Sequence, residues 1–292
     1  MAAVTGSIEV AGTPGRRAVT PEEASRAARS WWDAHADEYQ AEHGSALGAA
    51  QLVWGPEGLT EERAGLLGPV AGLRVLEVGC GAGQGSRWVA QAGGTAVGLD
   101  LSLGQLQHAR ALDASTHQPG RWLCADAIAL PVGSATMDVA FAAYGALQFV
   151  AQPLQVHHAV ARVLRPGGRW VFSVTHPIRW AFLDDPGPAG LTAVRPYFDR
   201  TAYVEEEDGA PSYVEVHRTL GDHVGDLREA GFVIDDLVEP EWPDDHRRTW
   251  GAWSPERGRL LPGTAIFVTH LTDQTGSSRV GSVSGHVIGT RS

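Results

Sequence analysis

The run Val75-Leu76-Glu77-Val78-Gly79-Cys80-Gly81-Ala82-Gly83 takes an apolar stretch into an acid and three alternating glycines. Glycine accepts positive φ and lets a ligand press onto the backbone, so the pattern reads as a strand end whose turn can cradle a small molecule. The dinucleotide fingerprint G-x-G-x-x-G fails in both registers, because Gln84 and Ser86 stand where the last glycine is needed. An acid before the first glycine is also awkward beside a pyrophosphate and sensible beside an ammonium group. Two more acids follow. Asp100, in Gly98-Leu99-Asp100-Leu101-Ser102, lies about 20 residues beyond the loop, where a carboxylate can accept both hydroxyl hydrogens of a ribose. Asp100 or Ser102 can equally cap the next helix. Asp126, in Cys124-Ala125-Asp126-Ala127, can accept from an adenine amino group while the Ala127 amide donates to a ring nitrogen, or it is a solvated turn acid. Three acids at three successive strand ends rarely coincide by chance.

Taken together, residues 73–175 resemble the class I S-adenosylmethionine-dependent methyltransferases. Glu77-x-Gly79-x-Gly81-x-Gly83 is similar to that family's first motif, Asp100 to its ribose acid and Asp126-Ala127 to its adenine pair. Leu164-Arg165-Pro166-Gly167-Gly168 resembles the turn before its fifth strand, and Leu227-x-x-Ala230-Gly231-Phe232 the approach to its sixth. The nearest flavour is the small-molecule and quinone-biosynthesis group. The resemblance implies S-adenosyl-L-methionine as cofactor, held by Glu77, Gly79, Cys80, Gly81, Gly83, Asp100, Leu101, Asp126, Ala127 and Ala143. Tyr39, in Trp32-Asp33-x-x-Ala36-x-x-Tyr39, resembles a lid tyrosine over the cofactor. It does not cover residues 176–218, so no substrate follows from it.

In an open α/β sheet, ligands lie beyond the carboxyl ends of the strands. Substrate candidates therefore follow the fourth and fifth core strands: Tyr144 and Gln148 after one, His176 after the other. His176, with an ordinary pKa near neutrality, is the expected base, its alternative being a structural histidine that ties down the insertion. Its removal is then expected to lower turnover while cofactor affinity stays. Trp180 and, more weakly, His217 are further substrate candidates. His157-His158 are expected to be solvated. Many of the ten tryptophans fall outside the motifs: Trp31, Trp32, Trp54, Trp180, Trp242, Trp250 and Trp253 read either as an aromatic lid or as glue for accessory segments. No paired Cys/His spacing appears, so no metal is expected.

These residues need a doubly wound, mostly parallel seven-stranded sheet with helices on both faces, since short apolar runs alternate with helical stretches from residue 72 onward. The expected layout is a flexible N-terminus and helical lid over 1–62, a cofactor-binding core over 63–175, and an insertion after the fifth strand over 176–220. A C-terminal part of the core over 221–272 and a disordered tail over 273–292 complete it. Within the insertion, Glu207-Asp208-Gly209 marks a hairpin. Thr219 and Asp222 mark a helix start.

Bulk properties bound the chemistry. The 292 residues are 43% hydrophobic with a net charge of −11, which argues against nucleic acid as a partner and for a small molecule. All 23 basic Lys/Arg residues are arginine, which excludes Schiff-base lysines and Walker A loops. Two distant cysteines and no apolar leader fit a reducing cytoplasm, with no stable membrane anchor expected. Oligomeric state is not legible. The rivals are a protein that binds S-adenosylmethionine without transferring its methyl, a nicotinamide dehydrogenase, disfavoured by Gln84 and the missing lysine, and a membrane-associated quinone methyltransferase.

Overall fold

The computed structural model describes residues 13–273. Seven strands form the main sheet: β2 (Arg74–Val78), β3 (Thr95–Asp100), β4 (Trp122–Cys124), β5 (Met137–Ala142), β6 (Leu164–Thr175), β9 (Phe232–Val238) and β10 (Thr264–Leu271). Their spatial order is β4-β3-β2-β5-β6-β10-β9, and only β10 runs antiparallel to its neighbours. The chain steps outward from β2 through β3 to β4, then returns to the other side of β2 with β5. That reversal opens a crevice at the carboxyl ends of β2 and β5.

Strand alternation sends side chains to two buried faces, as covered parallel sheets require. Leu76, Ala140, Phe172 and Phe267 pack on one side, with Val156 and Val160 of α6 (Pro153–Val163) and Leu227 of α7 (Leu220–Glu229). Val75, Phe141, Val171 and Ile266 pack on the other, with Val89 of α4 (Gln84–Gln91). Trp54 belongs to this second face: it is fully buried, and its Nε1 donates to Glu61 at 2.9 Å. It is core rather than lid. His157, expected in solvent, is also fully buried and accepts from Trp170 Nε1 at 3.1 Å. Burial lowers its pKa to about 3, so it is a neutral core acceptor.

The accessory elements gather over the crevice. The expected helical lid contains α1 (Pro21–Ala34) and α2 (Ala36–Leu47), broken at His35. A capping box of Thr20 and Glu23 starts α1. Residues 13–17, expected to be mobile, instead form β1 (Thr13–Arg17), which pairs antiparallel with the hairpin of β7 (Ala202–Glu207) and β8 (Ala210–Glu215). The cause is an open hairpin edge, which a neighbouring strand satisfies. Residues 1–12 of the expected N-terminal segment, and all but Asp273 of the expected tail, lie outside the described residues. The remaining helices are α3 (Glu61–Ala64), α5 (Leu103–Thr116) and α8 (Pro255–Gly258). No helix among the described residues is long and apolar enough to cross a membrane.

Gly83 shows how packing fixes the glycine loop. Its φ is +74°, and a Cβ there would lie 2.1 Å from the Trp122 ring. That ring has no room to retreat: Asp113 accepts from its Nε1 at 2.7 Å, and the buried Arg87 guanidinium lies 5.2 Å from its centroid. Gly83→Ala is therefore expected to destabilise the fold by about 2 kcal/mol or more, from left-handed strain plus overpacking. Thermal denaturation checks this; an unchanged midpoint would contradict the assignment.

Candidate functional site

A cavity of about 710 Å³ opens at the carboxyl ends of the parallel strands. At one end it is walled by the glycine loop, the ends of β3, β4 and β5, and α2. At the other it is walled by the β7–β8 hairpin and residues 179–186.

Glu77 ends β2 and is 4% exposed. Its Oε2 accepts from the Ser86 amide at 2.7 Å and the Ser86 hydroxyl at 2.6 Å. The amide is one of the four that the first turn of α4 leaves unpaired, so a strand-borne acid does the work of a missing side-chain cap behind Gly83. Burial raises the Glu77 pKa to about 8 against the pull of Ser86. Asp100 ends β3. One of its oxygens accepts from the Gly81 amide at 2.7 Å and the other from the Ser102 amide at 2.8 Å. Burial raises its pKa, and those amides oppose the rise. Ser102 takes the cap of α5, accepting from Gln105 N at 3.1 Å, so Asp100 is free to face the cavity. Asp126 follows β4. It accepts from Ile128 N at 3.1 Å and, across 101 residues, from the Ser25 hydroxyl of α1 at 2.6 Å.

The lining brings together Tyr39, Glu77, Gly79, Cys80, Gly81, Asp100, Leu101, Asp126, Ala127, Ala143, Tyr144, Gln148 and Trp180. Gly83 is not among them; it serves the packing against Trp122. The Cys80 thiol is buried and pushed well above its ordinary pKa by burial and by Asp100 and Glu77, so it stays neutral. Tyr39 packs edge-on against Trp32 at 5.2 Å and against His43 at 4.7 Å, and His43 stacks on Trp250 at 4.4 Å. Tyr144 has φ +61°, an outlier for a bulky side chain. Ser173 Oγ accepts from its amide at 2.8 Å, and Gln148 Nε2 donates to its carbonyl at 2.8 Å. Those two bonds hold a tyrosine where the chain would otherwise want glycine.

The loop's donor set fits the cofactor implied by the resemblance. Gly79 and Gly81 have φ of +70° and +51°, so backbone faces the cavity without side chains in front of it. Glu77 offers a buried carboxylate for an ammonium, Asp100 a carboxylate for paired hydroxyls, and Asp126 one for an amino group. Gln105 Nε2, a buried donor on a lining residue, has no partner among the described residues. Such atoms cost about 1–3 kcal/mol when left open, and a ligand recovers that cost.

Several lining residues escaped the sequence reading. Trp31, Trp32, Trp250 and Trp253 do line the cavity, as a lid would, whereas Trp242 does not. Its Nε1 donates to the His246 carbonyl at 3.0 Å. Arg179, Tyr203, Glu205, Tyr213 and Glu215 also line it. For the four hairpin residues the signal was the alternation Tyr-Val-Glu in both strands, which puts tyrosine and glutamate on one face.

Besides Gly83, two expected histidines lie outside the cavity. His176 is 5% exposed and absent from the lining. Its Nδ1 accepts from Ile178 N at 3.1 Å, and its Nε2 pairs with Glu239 at 2.7 Å. It caps the 3₁₀ turn Pro177–Ala181 and ties it to the segment after β9. Burial lowers its pKa, with Glu239 opposing. His217 pairs with the Tyr197 carbonyl at 2.7 Å and lies beside Trp180, so it supports the insertion from behind. Both corrections share a reason: the imidazoles turn towards partners distant in sequence. His176→Ala is now expected to lower stability by about 1–2 kcal/mol while ligand affinity stays. His176→Asn, which keeps a capping oxygen, should recover part of the loss. A large fall in turnover at unchanged thermal stability would return the residue to the chemistry.

Comparison with known proteins places this geometry. Residues 76–172 match the methyltransferase-domain family. The chain is 34% identical over 190 residues to the 27-O-demethylrifamycin SV methyltransferase of Amycolatopsis mediterranei, covering 64% of this chain and 61% of that protein. It is 32% identical over 164 residues to a ubiquinone biosynthesis O-methyltransferase of Ralstonia nicotianae, covering 56% and 63%. It thus spans less than two thirds of either relative. A solved structure from Listeria monocytogenes, described as a putative S-adenosylmethionine-dependent methyltransferase, shares the fold with a TM-score of 0.60 at 21% identity, over 73% of this chain and 97% of that one. The glycine loop, the three strand-end acids, the sheet order and these likenesses agree: residues 76–172 carry a methyltransferase domain, and the fold is that of S-adenosylmethionine-dependent methyltransferases.

Proposed function

We propose that this protein transfers a methyl group from S-adenosyl-L-methionine to a small, largely aromatic or apolar metabolite. One observation carries the reading: a single cavity runs from the three strand-end acids into a chamber lined by Trp31, Phe149, Tyr144, Trp180, Tyr213 and Trp250. A flat guest can stack there, and the aromatic walls favour an apolar or aromatic guest. The bound cofactor supplies an electrophilic methyl on a sulfonium. The chain's own residues bind, orient and dry the site.

Each residue has a task. Glu77 takes the cofactor's ammonium, Asp100 its ribose hydroxyls, and Asp126 with Ala127 its adenine. Cys80, Gly79, Gly81, Leu101 and Ala143 shape the walls, and Tyr39 closes the top. Tyr144 and Gln148, locked to each other, position the acceptor, with Trp180 behind them. The relatives' named activities, on 27-O-demethylrifamycin SV and in ubiquinone biosynthesis, agree with a small-molecule acceptor. The free thiols of Cys80 and Cys124 suit a reducing cytoplasm, the compartment we infer.

Glu77 gives a test with a sign. Its raised folded-state pKa means that its contribution to stability is complete below the ordinary carboxyl value and is lost as pH rises through about 8. An ammonium docked beside it favours the charged form, so cofactor binding near neutrality must expel a proton. Calorimetric titration with S-adenosylmethionine in buffers of different ionisation enthalpy should show release of up to about one proton. Glu77→Gln should abolish that release, bind the cofactor about tenfold or more weakly, and remove the alkaline loss of stability. Equal proton release by both proteins would sink the assignment. Incubation with methyl-labelled cofactor and a panel of phenols and amines tests transfer itself; binding without transfer to any acceptor would support a non-transferase role.

A further inference from the structure

The hairpin end of the cavity sets three acids, Asp184, Glu205 and Glu215, against two arginines, Arg179 and Arg195. Cross-strand pairing sets Tyr203 opposite Glu215 and Glu205 opposite Tyr213, so two phenols and two carboxylates alternate on the cavity wall. Arg179 reaches Glu215 at 3.0 Å and Asp184 at 3.0 Å. Burial opposes the charge on that guanidinium, and its two acids more than restore it. Arg179 is thereby spoken for. Glu205 is not: it is 6% exposed, and its Oε1 accepts from the Tyr203 hydroxyl at 2.5 Å. Its Oε2 is sealed from solvent with no donor among the described residues. Burial and the nearby Glu215 raise its pKa, against the pull of Tyr203. Gln148, whose carbonyl accepts from Val216 N at the end of this hairpin, leaves its own Oε1 without a donor too.

A guest that satisfies these atoms must bring hydrogen-bond donors, and a positively charged donor also answers the Glu205 carboxyl. Aromatic faces stand ready for it, with Trp31 5.1 Å and Phe149 5.8 Å from the Tyr213 ring. A ring face attracts a cation, and a buried carboxylate attracts it more strongly. Resting on the methyltransferase reading above, we propose that the acceptor substrate carries a basic nitrogen, held as an ammonium between Glu205 and Tyr213, at a distance from the atom that receives the methyl group. The separation follows from chemistry as well as place. An ammonium paired with a carboxylate has no lone pair with which to attack. Tyr213 is also separated from Tyr39, at the cofactor end, by Phe149 and Trp32, each ring packed on the next. The nitrogen anchors one end of the substrate, and a hydroxyl or second nitrogen at its other end accepts the methyl.

The test uses the whole protein saturated with S-adenosylhomocysteine and three matched probes: tyramine, its alcohol analogue tyrosol, and hydroxyphenylacetate. Calorimetry should show tyramine binding at least about tenfold more tightly than tyrosol, with the carboxylate weakest. Glu205→Gln should erase the preference for the amine while leaving affinity for the cofactor unchanged, and Glu205→Asp should keep part of it. Equal binding of tyramine and tyrosol, no binding of tyramine, or a preference that survives in Glu205→Gln would each overturn the proposal. Titration of S-adenosylmethionine into the wild type separates the two readings. Its failure to bind would remove the methyltransferase assignment, and a cation preference measured without it would still stand.

Discussion

The buried carboxylate of Glu77 is the constraint around which the rest is arranged. It terminates a central strand, begins the next helix through the Ser86 amide and faces the cavity, all with one side chain. Asp100 repeats the device one strand over, tying the Gly81 amide to the end of β3. The two acids stand close enough for Asp100 to raise Glu77 further. A loop held by two buried acids whose ionisation burial opposes is electrostatically unfinished. Its backbone is fixed in advance, and positive charge is the thing that completes it.

The lid is held mainly by other means. Arg17 bridges Glu23 of α1 and Glu206 of β7, but this arginine and its partners are substantially exposed, and pairs of that kind contribute little. The stronger terms are buried. Ala24 and Ala27 of α1 pack on Ala202, Val204 and Val214 of the hairpin. Asp33 accepts from the Ser102 hydroxyl at 2.7 Å and from Gly104 N at 3.0 Å, reinforcing the cap of α5. Ser25 meets Asp126. The lid thus touches the ends of two core strands and the hairpin together, and the two ends of the cavity share a roof.

What could be read in the sequence was what depends on near neighbours. Glu77 and the glycines lie within seven residues, and Asp100 and Asp126 follow at intervals that one helix and one strand enforce, so the three acids and the sheet were legible. The hairpin turn at Asp208-Gly209 and the Thr219–Asp222 box were legible for the same reason. The strand at residues 13–17 was not, because its partner lies almost two hundred residues away. His176 was misplaced because Glu239 captures its ring from 63 residues onward. The tryptophans were ambiguous because burial alone does not say which cavity a ring faces: Trp54 and Trp31 are both buried, one in the sheet core and one against the ligand chamber.

The arrangement of charge within the cavity bears on rate as well as binding. Methyl transfer from a sulfonium disperses a positive charge, so a carboxylate placed against that charge would stabilise the starting state more than the transition state and slow the step. The acids here stand elsewhere. Glu77, Asp100 and Asp126 occupy the strand ends, and Glu205 and Glu215 the hairpin, while Trp31, Trp32, Phe149 and Tyr144 line the intervening wall. Carboxylates at the two ends can grip groups whose charge does not change during transfer. Between them, where the proposed transfer would change charge, the chain places aromatic rings that attract a cation more weakly than a carboxylate does. On the proposed reading, binding energy goes into alignment, and the reacting centre is left free of groups that would hold the methyl back.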